Sequence, residues 1–555
     1  MDASPGAVRG AAPIFCQGAF GVNWISVLVK LAGFALLTSC GGGGGGGSGG
    51  LLPPLPETYA SSGKAAAGEV FVHLFEWRWS DIALECEQFL GPKGYAAVQI
   101  SPPCEHAVVT SGTSYPWWQR YQTVSYKLDA SRSGTLIEFQ DMLRRCSAVG
   151  VKIYADVVVN HMTAGAGVGS AGSAYGKTSY PAVPWTGADF HGACGINNYS
   201  DAANVQLCEL VGLADLRTED DAVRNRIADY LIALNVEGVA GFRIDAAKHM
   251  QPRDIDAIVA RVNTAATSAG RPRPYYYLEV INNAGEAVTA QQYFGVGYGS
   301  GGDADVTDFQ YGYRVTDAFA GRSGATLASL QTLASGLLPS DKSVVFIDNH
   351  DNQRGDNLYY ASSIGGVPVY ELAAIFMLAH PHGAPSLMSS YGFDRASQAG
   401  KDAGPPSAAV GATQSSFDGS GNSRCTRTLG NAQVGRWICE HRRDAIANMV
   451  AFRKATVGAA MVGFQVVNGD NNRIRLAREG KGFVAISRSP VGIIFVASTT
   501  LPDGNYCNVA ADRYTATSGV TPSSCSGTPI GVAGGSASIN LPANGAVVLH
   551  VGAKL

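Results

Sequence analysis

The chain has 555 residues, more than one hydrophobic core usually supports, so two or three domains are expected. Its 41 Lys and Arg nearly balance its 44 Asp and Glu, and the net charge of −3 excludes nucleic acid and acidic surfaces as natural partners. With 15% charged residues and 69 Gly, the sequence indicates long loops around a folded core.

Residues 1–40 are predicted to be a targeting region rather than part of the fold. Lys30 precedes an apolar run over residues 31–37, and the sequence Leu-Thr-Ser-Cys ends at Cys40. This ending resembles a bacterial lipobox, in which the signal is cut before a Cys that then carries lipid, so Cys40 is the predicted lipidation site. The alternative is a simple secretory signal, or a membrane anchor that draws on the apolar stretch from Phe20.

Residues 41–67 are predicted to be a Gly-rich linker, since the oligo-Gly run from Gly41 to Gly47 suits a flexible spacer. The expected location is outside the cytoplasm, either as a cell-surface lipoprotein or as a secreted protein. In the first case the lipid on Cys40 is the only expected contact with a membrane.

Export makes disulfides plausible. Of 11 Cys, Cys16 and Cys40 lie in the targeting region, and the remaining nine include one that cannot pair within the chain. Short spacing alone suggests two pairs, Cys425 with Cys439 and Cys507 with Cys525.

From Glu69 onward, strand-like and helix-like runs alternate along the sequence. Strand-like runs are predicted at 69–75, 96–101, 152–159, 239–244, 275–281, 305–311, 344–347 and 386–390. Helix-like runs are predicted at 81–90, 136–149, 222–234, 253–264, 326–333, 371–378 and 444–454. About eight strand-then-helix units predict an α/β fold, a (β/α)₈ barrel with parallel strands.

Two regions interrupt or follow this alternation. Residues 161–215 form a Gly/Ser-rich segment with two Cys in place of a short connection, which indicates a small inserted domain B after the third strand. Residues 461–555 contain short alternating runs separated by turns, which is typical of an antiparallel β-sandwich, domain C. The barrel, domain A, is therefore assigned to 68–160 and 216–460.

Three of the predicted strands lead into acidic residues. Arg243 and Asp245 lie two apart on one strand and share a face, and a carboxylate beside a guanidinium is held ionised, as a carboxylate nucleophile must be. Glu279 and Asp351 follow two further strands. Because active sites of such barrels lie at the strand carboxyl ends, the three acids predict a carbohydrate-cleaving site.

Four motifs and two longer stretches carry a family resemblance. The motifs are Asp156-Val157-Val158-Val159-Asn160-His161, Gly241-Phe242-Arg243-Ile244-Asp245, Glu279-Val280-Ile281 and Phe346-Ile347-Asp348-Asn349-His350-Asp351. The stretches are His73-Leu74-Phe75-Glu76-Trp77-Arg78-Trp79 and Pro116-Trp117-Trp118-Gln119-Arg120-Tyr121-Gln122. Together they resemble the animal-type α-amylases of glycoside hydrolase family 13, from Glu69 to the C-terminus.

The resemblance implies a domain A barrel, domains B and C, and endo-hydrolysis of α-1,4-glucan of the starch or glycogen type with retention of configuration. By position, Asp245 matches the nucleophile, Glu279 the general acid/base, and Asp351 the acid that steadies the distorted sugar. Retention needs the first two carboxyls about 5–5.5 Å apart, and the general acid must carry a proton. The expected partner is the polysaccharide alone, and the protein is expected to be a monomer.

The resemblance also implies a set of substrate-binding residues. These are Trp117, Trp118, Tyr121, Gln122, His161, Leu210, Leu213, Arg243, Lys248, His249, Glu286 and His350. If Trp117 and Trp118 lie on a strand they face opposite ways, so at least one needs a partner outside the core, and a sugar face suits it. The histidines His161 and His350 have an alternative role as ordinary hydrogen-bonded residues of the barrel mouth.

Calcium is the cofactor that the resemblance implies, and it would pin domain B to the barrel. The matching positions are Asn160, Gln206, Asp215 and His249. Asn160 and Asp215 would supply side-chain oxygens, and the other two would supply backbone carbonyls, in keeping with the preference of Ca²⁺ for six to eight oxygen ligands. A plain hydrogen-bonded junction is the alternative.

Chloride is not expected to be a cofactor. Many family members hold chloride with two arginines and an asparagine, and Arg243 and Asn349 match two of these positions. Ser386 stands in place of the second arginine, and a neutral hydroxyl cannot replace a guanidinium in holding an anion. The sequence therefore predicts activity that does not depend on chloride.

Disulfides follow from the resemblance as well. The implied pairs are Cys86 with Cys146, Cys194 with Cys208, Cys425 with Cys439, and Cys507 with Cys525. Cys104 is left over as a free thiol.

Two alternative functions remain at this stage. One is a different family 13 activity on the same scaffold, a transglycosylase or a maltogenic hydrolase. The other is a surface glycan-binding lipoprotein that has lost catalysis. That second protein would be expected to lack a catalytic acid, whereas Asp245, Glu279 and Asp351 are all present.

Overall fold

The protein is described by a computed structural model over residues 51–110, 112, 115–363, 368–408, 411–426, 434–511 and 524–555. The predicted signal region 1–40, the lipidation site Cys40 and the run Gly41–Gly47 lie outside these residues. Within them, no helix is both long and apolar enough to cross a bilayer.

Eight parallel strands form a closed barrel, as the sequence predicts. They are β1 Phe71–Leu74, β2 Ala97–Ile100, β3 Lys152–Val157, β4 Gly241–Ile244, β5 Tyr275–Leu278, β6 Ala304–Thr307, β7 Ser343–Val345 and β8 Ala384–Ser389. Each strand pairs with its neighbours in the sequence, and β8 closes the ring on β1. Gly241, the first residue of β4, has no room for a side chain, because a Cβ there would lie 2.8 Å from the carbonyl oxygen of Tyr275 on β5.

Aromatic residues fill the barrel at its N-terminal end. Phe71, Tyr154, Tyr275 and Tyr277 form one buried cluster, with ring centroids of Phe71 and Tyr277 5.5 Å apart. The interior is therefore a packed core rather than a channel, and it separates the two ends of the barrel.

Seven longer helices surround or follow the strands. They are α1 Trp79–Glu85, α2 Leu136–Ala148, α3 Asp221–Glu237, α4 Pro252–Ser268, α5 Phe309–Ala320, α6 Val369–Ala379 and α7 Asp444–Ala455. α2 begins at a capping box, in which Thr135 Oγ1 accepts from the Glu138 amide and Glu138 Oε2 accepts from the Thr135 amide.

The structure differs from the prediction around β6. The predicted strand 305–311 ends at Thr307, because the Asp308 side chain accepts a hydrogen bond from the Tyr311 amide and caps α5. α5 was not predicted. The predicted helix 326–333 is a 3₁₀ segment, Leu327–Thr332, that follows it.

Domain B leaves the barrel after β3 and returns before α3. Its two ends lie side by side, since His161 and Asp215 form a bridge and the Met162 amide donates to the Ala214 carbonyl at 2.9 Å. It contains a two-stranded sheet, Gly167–Val168 with Ala174–Tyr175, and a short helix, Ala202–Gln206. The inserted segment is thus a small closed unit on the rim of the barrel.

The C-terminal region folds into two four-stranded antiparallel sheets. The strands are β9 Met461–Val467, β10 Asp470–Arg478, β11 Gly482–Ser487, β12 Ile493–Ser498, β13 Gly504–Tyr506, β14 Ile530–Ala533, β15 Ser536–Leu541 and β16 Ala546–His550. One sheet has the order β9-β10-β11-β16 and the other β12-β15-β14-β13. Phe483, Leu549 and Ile539, from both sheets, share one buried cluster, as expected for a sandwich.

Residues 51–67 do not behave as the free linker that the sequence predicts there. The Leu52 amide donates to Gln251 Oε1, and Ser62 Oγ donates to Asp305 Oδ2 at 2.6 Å. The Ala60 amide donates to Asp303 Oδ1 at 3.0 Å. This segment therefore packs along the outside of the barrel, because its polar groups find partners there that composition alone does not reveal.

All four predicted disulfides are present. They join Cys86 to Cys146, Cys194 to Cys208, Cys425 to Cys439, and Cys507 to Cys525. Cys104 is a buried free thiol, as predicted. Four disulfides are consistent with export from a reducing cytoplasm.

Candidate active site

A cleft of about 640 Å³ opens at the carboxyl ends of the barrel strands, and Asp245, Glu279 and Asp351 all line it. Asp245 directly follows β4, and Glu279 directly follows β5. Asp351 lies in the loop after β7. Because parallel neighbouring strands end at one rim, the chain brings together three acids that are far apart in sequence.

One guanidinium holds the acids at the bottom of this cleft. Arg243 Nη1 donates to Asp245 Oδ1 at 2.8 Å and to Asp156 Oδ1 at 2.6 Å. Arg243 Nη2 lies 2.5 Å from Glu279 Oε1, and the other oxygen, Oε2, accepts from the Ala246 amide at 2.9 Å. The proposed nucleophile and the proposed acid/base are therefore oriented by the same cation.

The effect of Arg243 on Asp245 is weaker than the sequence suggests. Burial raises the pKa of Asp245 above its usual range, and Arg243 lowers it only in part. The physical reason is burial, which outweighs the guanidinium, and Arg243 also pairs with Asp156 and Glu279, with all three carboxylates at 2.5 to 2.8 Å. The expectation that the arginine alone sets the ionisation of Asp245 is corrected accordingly.

The acid cluster as a whole retains a proton near neutral pH. Burial raises the pKa of Asp156 to about 7, against the opposing effect of Arg243. Partial burial in the cleft and the charge of Glu279 raise the pKa of Asp351 to about 7, and half of its side-chain surface remains open to the cleft. Interacting carboxylates share protons, so this proton belongs to the cluster rather than to one residue.

Aromatic rings form one wall of the cleft. The Tyr121 and His350 rings stack at 4.8 Å and 7°, and Trp117 packs edge-on against His350 at 5.5 Å. Trp117 and Trp118 both line the cleft. They lie in a 3₁₀ segment, Trp117–Tyr121, and not on a strand, so the argument from opposite strand faces was wrong although both rings reach the cleft.

The two predicted substrate-binding histidines differ in their partners. Asn160 Nδ2 donates to His161 Nδ1 at 3.2 Å, which leaves the proton on Nε2, and Nε2 donates to the Tyr121 carbonyl at 3.1 Å. Both ring nitrogens of His161 are therefore already bonded within the protein. His350 Nε2 lies 3.3 Å from Asp351 Oδ2, and burial together with Arg243 lowers the pKa of His350, so its ring is neutral.

On the side of β4 and β5, a charged pair lines the cleft. Lys248 Nζ donates to Glu286 Oε2, and also to the Ile281 carbonyl at 2.7 Å. The Tyr199 ring lies 5.1 Å from Lys248 Nζ. The other predicted residues of the lining, Gln122, Leu210, Leu213 and His249, are also at the cleft surface.

Sequence reasoning missed several residues of the site, among them Asp156, Tyr199 and Val211. Asp156 was quoted within a motif but given no role, because its partner Arg243 is 87 positions away. Tyr199 is an isolated aromatic residue in a polar loop of domain B, which is a usable signal. Val211 lines the cleft with 84% of its surface exposed and with a φ of +47°, and nothing in the sequence marks it.

The predicted calcium residues lie on the segments that join domain B to the barrel. The Leu216 amide donates to the Asn160 carbonyl, and His249 Nδ1 lies 2.9 Å from the Val205 carbonyl. Gln206 Nε2 donates to the Met250 carbonyl. Asn160 Nδ2 bonds to His161, and Asp215 Oδ2 bonds to His191. The Oδ1 atom of each residue is therefore left for a cation.

This donor set fits Ca²⁺ in chemistry, since it consists of amide, carboxylate and carbonyl oxygens. Only one side chain of this donor set, that of Asp215, is acidic. The described part of the chain contains no cluster of three or more His, Cys, Asp or Glu that could hold a metal ion.

A small cavity of about 30 Å³ lies below the cleft, inside the barrel. Arg243, Asn349 and Ser386 contribute to its lining. The charge of Arg243 is already opposed there by the carboxylates described above. The cavity has room for a water molecule, and its surroundings add no second cation in place of the serine.

A carboxylate pair beside an aromatic wall is the chemistry with which enzymes cleave glycosidic bonds, and the barrel presents it at its catalytic end. Fold and site thus define the class of this protein as a glycoside hydrolase.

Comparison with known proteins narrows the class. The profile of a family described as "Alpha amylase, C-terminal all-beta domain" matches residues 464–552. The chain is 45% identical to the alpha-amylase of Tribolium castaneum over 88% of this chain and 96% of that protein. It is 44% identical to the alpha-amylase of Thermomonospora curvata, over 87% of this chain and 73% of that protein.

A solved structure agrees. The wild-type alpha-amylase I of Eisenia fetida superposes with a TM-score of 0.75 and 36% identity, covering 89% of this chain and 99% of that one. The chain belongs to the α-amylase family.

Proposed function

We propose that this protein hydrolyses internal α-1,4-glucosidic bonds of starch- or glycogen-type polysaccharides with retention of configuration. The observation that carries the proposal is the placement of Asp245 and Glu279 on the two sides of one guanidinium, with Asp351 in the same cleft. A binding protein without catalysis has no need for this costly arrangement of buried acids.

In the first step, Asp245 attacks the anomeric carbon of the sugar while Glu279 gives its proton to the glycosidic oxygen. The bond between the anomeric carbon and that oxygen breaks, and the leaving chain departs as an alcohol. In the second step, Glu279 takes a proton from a water molecule, and the water oxygen displaces Asp245 from the anomeric carbon. Two inversions give net retention.

Arg243 and Asp351 support both steps. Arg243 offsets the negative charge of Asp245 while Asp245 is a free carboxylate. When the covalent ester forms, Asp245 loses this charge, and Arg243 has less charge to offset. Asp351 is half exposed in the cleft and can accept hydrogen bonds from sugar hydroxyls, which steadies a distorted ring.

Endo-cleavage follows from the position of the binding residues around the acids. The Trp117–Tyr121 wall belongs to the connection after β2, whereas Glu286 belongs to the connection after β5. Asp245, after β4, lies between them on the rim. A polysaccharide chain can therefore be held on both sides of the bond that breaks. We also propose that the protein acts as a monomer.

A structural Ca²⁺ is part of the proposal. Asn160 and Asp215 would bind it through side chains, and Gln206 and His249 through carbonyls. Bound there, the ion would fasten domain B to the barrel and would take no part in bond breaking. Chloride has no role in the proposal, because Ser386 replaces the second cation.

Export as a lipoprotein anchored through Cys40 completes the proposal. The support is the sequence Leu-Thr-Ser-Cys after an apolar run. Mass spectrometry of the mature N-terminus tests it. A lipid-modified Cys40 is expected, and an unmodified terminus at another residue would refute the anchor while leaving the hydrolase intact.

The experiment that tests the activity is a starch digest followed by chromatography of the products, with wild type beside Asp245→Asn. The wild type is expected to release a ladder of maltooligosaccharides, and the variant none. A product that is mainly maltose, or longer than the starting chains, would instead assign a maltogenic or transglycosylating activity. Starch binding without any product would assign a binding protein.

A further inference from the structure

A second concavity, of about 520 Å³, lies at the end of the barrel opposite the cleft. Its lining includes Lys152, the first residue of β3, and Tyr275, the first residue of β5. Ala240 and Asp303, just before β4 and β6, also contribute. We refer to this concavity as the far-end pocket. Its size is within the range of small-molecule sites.

The far-end pocket is positively charged in a protein whose net charge is −3. Four cationic side chains line it: Lys64, Lys152, Arg271 and Arg273. The neighbouring acids are Asp303 in the lining, Glu69, which lies 2.9 Å from Lys64 and 3.6 Å from Lys152, and Asp305, which accepts from Ser62 and Tyr275 of the lining. The pocket therefore carries one more positive than negative charge.

The two guanidiniums lack carboxylate partners. Within the described part of the chain, no acidic oxygen lies at ion-pair distance from Arg271 or Arg273. Elsewhere in the same structure, surface arginines such as Arg144 are paired with acids. An arginine without an acid, beside a second one, is able to offer its full charge and its planar donors to an anion.

Both guanidiniums are held in place by neutral acceptors. Arg271 Nε donates to Asn235 Oδ1 at 3.1 Å, and Asn235 is fixed by its own bond from Nδ2 to the Val239 carbonyl. Arg273 Nη1 donates to the Gly301 carbonyl. These bonds leave the terminal nitrogens of Arg271 and Nη2 of Arg273 available, and they reduce the entropy lost when a ligand binds.

We propose that the far-end pocket binds a dianionic phosphate group, either free or carried by a sugar as a monoester. A phosphate monoester carries about −1.5 to −2 charges near neutral pH, and the surplus positive charge of the pocket attracts such an anion. Guanidinium forks bind phosphate oxygens in pairs, and ammonium groups add to the attraction. A sugar that carries the phosphate would have Pro272 and the Tyr275 ring beside it.

This site is independent of the hydrolytic one. The packed aromatic cluster of the barrel lies between the far-end pocket and the cleft, so both can be occupied at once. A phosphorylated polysaccharide would be retained at the far end while an unmodified chain is cut. Free phosphate would fill the same place without this consequence.

The test is calorimetric titration of the full-length protein, carrying Asp245→Asn so that maltotriose is not cut, with glucose 6-phosphate, inorganic phosphate and glucose, each with maltotriose in excess to fill the cleft. Saturable binding of glucose 6-phosphate is expected, with no binding of glucose. Tighter binding of glucose 6-phosphate than of phosphate would assign a sugar-borne ligand, and equal binding would assign phosphate itself. Both results support the proposal, and no binding of either anion contradicts it.

The double variant Arg271→Gln/Arg273→Gln identifies the site. Loss of two charge-assisted contacts is expected to weaken anion binding by about tenfold or more, with unchanged kcat/KM on soluble starch. Arg144→Gln, an exposed arginine on α2, is the matched control and should bind like wild type. Equal anion binding by wild type and the double variant, at equal melting temperature, would overturn the assignment.

Discussion

The two ends of the barrel are built from the same eight strands but carry opposite excess charge. At the carboxyl end, four acids surround Arg243: Asp156, Asp245, Glu279 and Asp351. At the amino end, four cations face three acids. The acids of the cleft are mostly buried, whereas Lys152 at the far end is 48% exposed.

This difference shows where charge is costly in the fold. Buried carboxylates perturb one another strongly, which shifts their pKa values. Exposed cations are screened by water and salt and affect the fold little. Substitutions at the carboxyl end should therefore change activity and stability, and substitutions at the amino end should change neither.

The largest effect is expected from Asp245→Asn. Removal of the nucleophile should lower kcat on starch by about 10⁴-fold or more, as for other catalytic groups that act as a unit. The side chain keeps its volume, so the far-ultraviolet circular dichroism should be unchanged. Arg271→Gln at the other end is the control and should keep full activity; a comparable loss there would contradict the comparison.

A large loss of stability is expected from Arg243→Met. The substitution leaves Asp156, Asp245 and Glu279 buried together without a cation, and removing one partner of a buried ion pair costs about 3–5 kcal/mol. Urea unfolding measures it. Arg273→Gln should lie within about 0.5 kcal/mol of wild type, as surface substitutions usually do. Equal stability of the two variants would show that the cluster is not a buried charge centre.

The pH dependence of stability should report Asp156. Its folded pKa is raised to about 7 by burial, above the value of about 3.8 for an unfolded aspartate, so the folded state binds the proton more tightly. The stabilisation is complete below about pH 4 and is lost as the pH rises through 7. Asp156→Asn should remove this part of the slope in urea unfolding between pH 4 and 8. An unchanged slope would contradict the raised pKa.

A smaller effect is expected from Tyr121→Phe. The tyrosine hydroxyl donates to Asp156 Oδ2 at 2.9 Å, while its ring stacks on His350. Loss of the hydroxyl should cost about 1–3 kcal/mol, because the buried acid keeps fewer partners, and the ring contact remains. Thermal unfolding measures the cost. Tyr95 is a buried tyrosine outside the cleft, and its hydroxyl donates to the His441 carbonyl. Tyr95→Phe is therefore the control for activity and should not change kcat.

The smallest effect is expected from chloride. Since Ser386 stands in the lining of the cavity below the cleft, adding chloride to a chloride-free preparation should leave kcat unchanged. Sodium nitrate at equal ionic strength is the control. A several-fold increase that chloride alone produces would refute this prediction, whereas Ser386→Arg would be expected to create such a response.

The barrel and the meeting of the three acids in one cleft were within reach of the sequence because their signals are local. Each strand is a short apolar run, and the acids follow these runs directly, so chain order alone predicts that they meet at one rim. The C-terminal sheets were visible for the same reason, through alternation with turns.

Contacts between distant residues were not within reach. Nothing in the sequence near Asp156 indicates that Arg243 will bond to it from another strand. Burial of Asp245 raises its pKa, whereas the neighbouring arginine alone predicts a lower pKa. The path of residues 51–67 depends on single acceptors such as Gln251 and Asp305. Trp117 and Trp118 lie in a 3₁₀ segment, so the argument that adjacent residues of a strand face opposite ways does not apply to them.

The central claim is a double displacement by Asp245 and Glu279 in one cleft. Proton nuclear magnetic resonance of the reducing ends, recorded in the first minutes of hydrolysis of a maltooligosaccharide, tests it most directly. We predict that the α-anomer appears first and that the β-anomer grows in only by mutarotation. Initial release of the β-anomer would mean a single displacement by water, and it would contradict the roles assigned to both carboxylates.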